Sequence, residues 1–161
     1  MKNQRIFPGV VLIGFGTYFF LQQANIEVLK PFFTWPTLLI IVGVAFLFQA
    51  YSGRDYDGIL PGVILSGFGL HFLIVNRLDI WPDHIGSFIL IISLGFLLRH
   101  LKTGTGLFQG ILFLLLALML LFYDKIISSL GALGDSVSYI WSFWPAFFIL
   151  LGLYLLIFKR K

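Results

Sequence analysis

Ile6 to Ile26 read IFPGVVLIGFGTYFFLQQANI, 21 residues without one charged side chain. A helix rises ~1.5 Å per residue, so a run of this length matches the ~30 Å hydrocarbon core of a bilayer. Cutting the rest of the chain wherever a charge or an end-positioned histidine interrupts it leaves Pro31 to Gly53, Gly58 to Asn76, Ile85 to Leu98, Thr103 to Tyr123 and Ser136 to Phe158. The stretch Ile85 to Leu98 has only 14 residues, and is expected to borrow Trp81 and Pro82 or to sit in a locally thinned bilayer. Lipid offers the backbone no hydrogen bonds, and Leu112-Phe113-Leu114-Leu115-Leu116 lacks the alternation of a barrel strand, so helices are expected. The expected fold is all-α, a polytopic integral membrane protein with six transmembrane helices.

Composition agrees. The chain is 59% hydrophobic and 11% charged, with a mean hydropathy of +0.98, where a soluble domain has about a quarter of its residues charged. A water-soluble enzyme, a secreted disulfide scaffold and a disordered tail are excluded. Without cysteine, disulfides, thiolate metal sites and thiol nucleophiles are excluded as well.

Charge sets the orientation. Lys2, Arg5, Arg54, Arg99, Lys102, Lys159, Arg160 and Lys161 fall on the side of the two termini, against Lys30, Arg77 and Lys125 on the other. The positive-inside rule then puts both ends in the cytoplasm, as an even number of crossings also requires. Asp55 and Asp57 lie on the inner side, and Glu27, Asp79, Asp83, Asp124 and Asp135 on the outer. The high pI therefore reflects topology, and no nucleic-acid partner is expected. Trp35, Trp81, Trp141 and Trp144 fall near the outer ends of even-numbered spans, where they read as interface anchors. No small-x-small cleavage site precedes Glu27, so the first stretch is expected to be retained.

The chain also repeats itself. Residues 8–16 read PGVVLIGFG and residues 61–69 read PGVILSGFG, while Trp35-Pro36 precedes Gly43 at the spacing by which Trp144-Pro145 precedes Gly152. In the middle unit Gly95 lies further from Trp81-Pro82, and in the third odd span Gln109-Gly110 replaces Pro-Gly. Three helical hairpins of about 50 residues are expected, at 1–53, 54–102 and 103–161. Pro8, Pro36, Pro61 and Pro145 suit a first helical turn, where the missing amide costs little. Gly9, Gly14 and Gly16, then Gly62, Ser66, Gly67 and Gly69, with Gly43, Gly95 and Gly152, form small faces on which helices dock, within the chain or against a second copy as a homo-oligomer. Before the last span, Ile126, Ile127, Leu130, Leu133, Val137 and Ile140 recur among polar residues. That pattern is either a short amphipathic helix on the outer surface or an irregular loop touching the bilayer.

Pro-Gly-x-x-Leu-x-Gly-x-Gly, a polar outer turn, and Trp-Pro-x-Leu-Leu-Ile-Ile-x-Gly together resemble the bacterial LiaI-LiaF-like transmembrane region, most closely over 6–51. The resemblance implies a non-enzymatic protein of the cytoplasmic membrane in envelope-stress systems. Its implied partners are a phage-shock-type cytosolic protein, which it would anchor, or a sensor kinase, which it would restrain. LiaI-like anchors have one hairpin where three are expected here, and LiaF-like proteins carry a soluble C-terminal domain where this sequence ends at Lys161.

Little else carries chemistry. All seven carboxylates fall in loops or at span ends, which argues against proton relays and carboxylate-held metals, and no cofactor is expected. His71 is the titratable group placed deepest in a span, tyrosines aside. It reads either as a packed neutral side chain or as a headgroup or pH site. Gln49, Ser93 and Gln109 suit interhelical hydrogen bonds. Arg99, Lys102, Lys159, Arg160 and Lys161 form a cytoplasmic basic patch, read as a topology determinant or as a contact for anionic lipid or a cytosolic partner. The expected function is a membrane scaffold, anchor or regulator bound to membrane lipids. The alternative is a small-solute or lipid transporter or channel, with its pathway near His71 and Gln49.

Overall fold

The computed structural model describes residues 5–78 and 85–130 and the single positions 146, 149 and 150. Among the described residues all regular structure is helical: α1 (Ile6–Gln23), α2 (Trp35–Ser52), α3 (Ile59–Leu78), α4 (Ile85–Thr103), α5 (Leu107–Leu121) and α6 (Tyr123–Leu130). Helices α1 to α4 are long and apolar enough to cross a membrane, and α5 is a shorter apolar helix of 15 residues. The expected polytopic all-α architecture is therefore observed. Apart from those single positions, the expected last span lies outside the described residues. So do Trp81, Pro82, Trp141, Trp144, Gly152, Lys159, Arg160 and Lys161, and most of the expected amphipathic segment. Met1–Leu121 forms one compact unit and Phe122–Lys161 a second. In the second unit α6 covers the beginning of the amphipathic segment, and the Ile126 amide donates to the Phe122 carbonyl at 2.9 Å.

Helix ends in the first unit follow local chemistry. Asn25 takes a left-handed backbone (φ 52°), so α1 stops at Gln23, before the expected Ile26. Pro31, expected to open the second span, instead lies in a 3-10 helix, Glu27–Phe32. Thr34 is extended and α2 begins beyond it, with Pro36 in its first turn, where no amide is missed. Pro8 and Pro61 likewise stand in the first turns of α1 and α3. At the opposite end Arg54 (φ 55°) and a 3-10 turn, Tyr56–Gly58, link α2 tightly to α3.

The fourth span corrects an expectation. It does not stop at Leu98 but continues through Arg99 to Thr103, giving 19 residues, ~28 Å of helix, without help from Trp81 and Pro82. A charge is a poor place to cut a span, because a long side chain near a helix end buries its stem and delivers its head to the interface. Glycine then ends the helix: Gly104 (φ 69°) donates its amide to the His100 carbonyl at 2.8 Å, and Gly106 (φ 96°) completes the reversal into α5.

Packing is closest between α2 and α3 and between α4 and α5, the pairs joined by these short reversals, and lighter within α1–α2 and α3–α4. The reason lies in the small residues. A Cβ on Gly43 would collide with the Ser66 amide nitrogen and Oγ and lie 2.9 Å from the Gly62 carbonyl oxygen. One on Gly69 would lie 2.6 Å from the Pro36 carbonyl oxygen. Here α2 and α3 meet backbone to backbone. Between α4 and α5, the Ser93 hydroxyl, fully buried, donates to the Gly110 carbonyl at 2.8 Å, and a Cβ on Gly110 would lie 2.7 Å from Leu97.

Candidate functional site

Helix ends place the polar side chains of the first unit. Gln49, near the end of α2, is only 6% exposed, and its Oε1 accepts a hydrogen bond from the Phe7 amide at 3.1 Å. That amide is among the first four of α1, which have no carbonyl of their own helix to bond. A side chain of α2 thus caps α1, and the Phe7 and Phe46 rings pack beside it with centroids 4.5 Å apart.

Around this cap lies a cavity of about 370 Å³, lined by Phe7, Phe46, Gln49, Asp55, Asp57, Gly58 and Pro61. Its polar wall comes from the reversal between α2 and α3, where Asp55 and Asp57 flank Tyr56. Asp57 accepts a hydrogen bond from the Arg99 guanidinium at 3.3 Å, so the far end of α4 is tied to the same reversal. Lys102, one turn on, stands 5.7 Å from the centre of the Tyr51 ring. The two described members of the basic patch are thus each held by a partner on the α2–α3 side. Sequence reasoning used Asp55 and Asp57 only to balance charge and missed both as site residues. The available signal was an Asp-x-Asp turn at the same end as Arg99.

His71 lies elsewhere. It stands in the second half of α3, level with the start of α2, and is 3% exposed among aromatic rings. Its ring centroid is 4.6 Å from Phe88 and 5.7 Å from Phe72, which in turn packs 4.8 Å from Trp35. Gln49 and His71 therefore lie toward opposite ends of the α2–α3 pair. Trp35 is 56% exposed, at the end of α2 away from Gln49.

The glycines divide into two groups. Gly43, Gly62, Ser66 and Gly69 lie in the α2–α3 contact, and Gly95 of α4 lies against Leu60 of α3. Gly14 meets Ile41, and Gly67, its counterpart in the repeated motif, meets Ile91 in the same way. Gly9 and Gly16 differ: no atom lies within 4 Å of where a Cβ would stand, so among the described residues they dock on nothing. The heptad spacing they share with Gly62 and Gly69 brings no described helix onto them: α1 packs chiefly on α2, with Gly14 against Ile41, while its one buried residue, Tyr18, packs edge-on against Phe33 of the connecting turn. Gln109 is exposed, and the α4–α5 hydrogen bond uses Ser93 and the adjacent Gly110 instead.

A second cavity, also about 370 Å³, lies between α1, the 3-10 helix and α2, and is almost wholly apolar. Tyr18, Leu21, Leu29, Phe33 and Ile41 are among its walls. The pair of α1 and α2 with its polar turn is also the part of the chain that matches a known family. Residues 6–47 match the LiaI-LiaF-like transmembrane region. The expected resemblance is thus borne out over residues 6–47, and the chain is a membrane protein similar to that region there. Over its whole length it is similar to the uncharacterized membrane protein YsxD of Bacillus subtilis (strain 168), 26% identical over 161 residues, which span 100% of this chain and 98% of that protein. No solved structure matches it.

Proposed function

We propose that this chain is a non-catalytic module of the bacterial cytoplasmic membrane, with both termini in the cytoplasm, acting as a scaffold, anchor or regulator in the cell-envelope stress response. The observation that carries the reading is how its polar groups are used. Gln49 and Ser93, both buried within the helix packing, bond backbone groups of neighbouring helices. Arg99 and Lys102 sit at one end of the first unit, on Asp57 and Tyr51. Polar side chains committed to holding helices together, with most of the basic residues at one rim, suit a rigid platform that presents a surface. The envelope-stress context is what the resemblance to the LiaI-LiaF-like region implies, and the match over residues 6–47 supports that resemblance.

The surface offered is basic. Arg99 and Lys102 supply it, and Lys159, Arg160 and Lys161 add charge on the same membrane side under the positive-inside rule. The partner is a cytosolic phage-shock-type protein or a sensor kinase. Flotation of a purified phage-shock-type protein with liposomes carrying the full chain tests the anchor. Co-flotation that falls when Arg99 and Lys102 become glutamine and residues 159–161 are removed supports it. Absence of co-flotation, or recovery unchanged by those substitutions, removes that partner from the reading.

A further inference from the structure

A platform of packed helices does not need the apolar cavity between α1, the 3-10 helix and α2, and three fixed points set the shape of that cavity. At its floor α1 and α2 touch: a Cβ on Gly14, midway along α1, would collide with the Ile41 side chain. At its roof lie Leu29 and Phe32 of the 3-10 helix, with Phe33 beyond them. The roof is held from both sides, since the Thr37 hydroxyl of α2 donates to the Phe32 carbonyl and the Tyr18 ring of α1 meets the Phe33 ring edge-on, centroids 5.4 Å apart. From Gly14 to Leu21 the cavity follows α1 for ~10 Å, about two-thirds of one leaflet of a ~30 Å hydrocarbon core. Its walls decide what fills it. A buried water needs two to four polar partners. The side chains here offer the hydroxyls of Thr17, Tyr18 and Thr37, of which the last is committed to Phe32, too few for a column of water of that length. A further helix does not fit either, being ~10–12 Å across with its side chains, where α1 and α2 already touch.

We propose that this cavity holds one acyl chain of a phospholipid, drawn from the leaflet on the side of the 3-10 helix. The chain lies between Leu21 and Leu29 with its end toward Gly14 and Ile41, and the headgroup stays outside, level with the 3-10 helix. A methylene chain is thin enough for the cleft, and the volume falls in the range of small-ligand sites. Leaving one apolar medium for another gives the chain no hydrophobic gain; what holds it is dispersion contact with fixed walls on three sides in place of mobile neighbours. At the roof Glu27 and Lys30 are paired at 3.9 Å and both exposed, so their charges offset and the site selects the chain, not the charge of the headgroup. The proposal needs α1 and α2 to cross a bilayer and nothing of the anchoring role, so either idea can fail alone.

Photo-crosslinking of the full chain tests this. The protein is reconstituted in phosphatidylcholine vesicles with a trace of phosphatidylcholine carrying a diazirine midway along one acyl chain, and irradiated either there or after the surrounding lipid is washed away in detergent; peptide mapping then locates the adducts. In vesicles, adducts are expected in the cavity, at Tyr18, Leu21 and Leu29, and also on the open face of α1, at Leu12 and Ile13, which are 73% and 72% exposed. After the wash, adducts in the cavity should exceed those on the open face roughly tenfold, corresponding to ~1.4 kcal/mol. Thr17→Phe places a ring in the cavity wall and should bring the washed signal down to that of the open face, while Ile13→Phe should leave it unchanged. Phosphatidylglycerol with the same probe should behave like phosphatidylcholine. If Thr17→Phe does not fold, judged by its helical circular dichroism, the wash comparison on the unaltered chain decides alone. Cavity adducts that wash away with the others, none in the cavity even in vesicles, a washed signal untouched by a folded Thr17→Phe, dependence on the headgroup, or displacement by an equal amount of free fatty acid would overturn the proposal.

Discussion

Replacing Gly43 by alanine adds one methyl group at the place where α2 and α3 are closest. That methyl overlaps the Ser66 amide nitrogen and Oγ and lies 2.9 Å from the Gly62 oxygen, so two of the three obstacles are backbone and cannot rotate away. The helices must separate, and a gap of ~0.5–1 Å forfeits about a quarter to a half of each dispersion contact across it. Overpacking of this kind costs about 1–3 kcal/mol, offset by at most ~1 kcal/mol of alanine's better helix propensity. With the full offset a net loss of up to about 2 kcal/mol remains, which lowers the folded-to-unfolded ratio by up to roughly 30-fold. Gly16→Ala is the matched control: nothing lies within 4 Å of its added methyl, so only the helix-propensity gain of up to ~1 kcal/mol should appear. Reversible unfolding in bicelles, followed by circular dichroism, measures both. Ser66→Gly in the Gly43→Ala background should recover part of the loss, because it removes Oγ but leaves the amide. Equal stability of the Gly43 and Gly16 variants would refute the backbone-to-backbone contact.

Other consequences are smaller or more local. Ser93→Ala removes the bond to Gly110 and should destabilise the α4–α5 pair by about 0.5–2 kcal/mol, the range for interhelical hydrogen bonds in membranes, read by the same unfolding assay. Gln49→Leu leaves the Phe7 amide uncapped at a cost of about 1–3 kcal/mol, and because α1 touches little else, faster hydrogen exchange should appear at its first turn before any global loss. Exchanging the charges of Asp57 and Arg99 should change stability by less than about 1 kcal/mol, since the pair is partly exposed, with side chains 70% and 32% accessible. A much larger loss in thermal melts would show that the tie matters more than its exposure suggests.

The membrane-spanning character was legible because lipid imposes a single demand, an uncharged run of sufficient length, and Ile6–Gln23 meets it on inspection. Helix boundaries were less so. The left-handed turn at Asn25 and the 3-10 helix holding Pro31 carry no distinctive hydropathy, and the charge of Arg99 concealed the last turn of α4. Among the small residues, spacing alone gave Gly9 and Gly16 the role of Gly62 and Gly69. A glycine face becomes a contact only when a second helix arrives at it, and that is decided by the lengths of the connections. The short reversals at Gly53–Gly58 and Gly104–Gly106 bring α3 onto α2 and α5 onto α4, while the longer turn at Asn25–Thr34 leaves α1 more lightly held. Gln49 and Ser93 could be read as hydrogen-bonding residues, but not their partners, Phe7 and Gly110, whose backbones identify nothing in a sequence.

Everything depends on α1 to α4 crossing a bilayer in alternating directions. The chain has no cysteine, so single cysteines can be placed at Glu27, Arg54 and Gly104 and labelled in intact cells with a thiol reagent that does not cross the membrane. The account predicts labelling at Glu27→Cys alone, with Arg54→Cys and Gly104→Cys reacting only after the cells are opened. Labelling of all three from one side would contradict it.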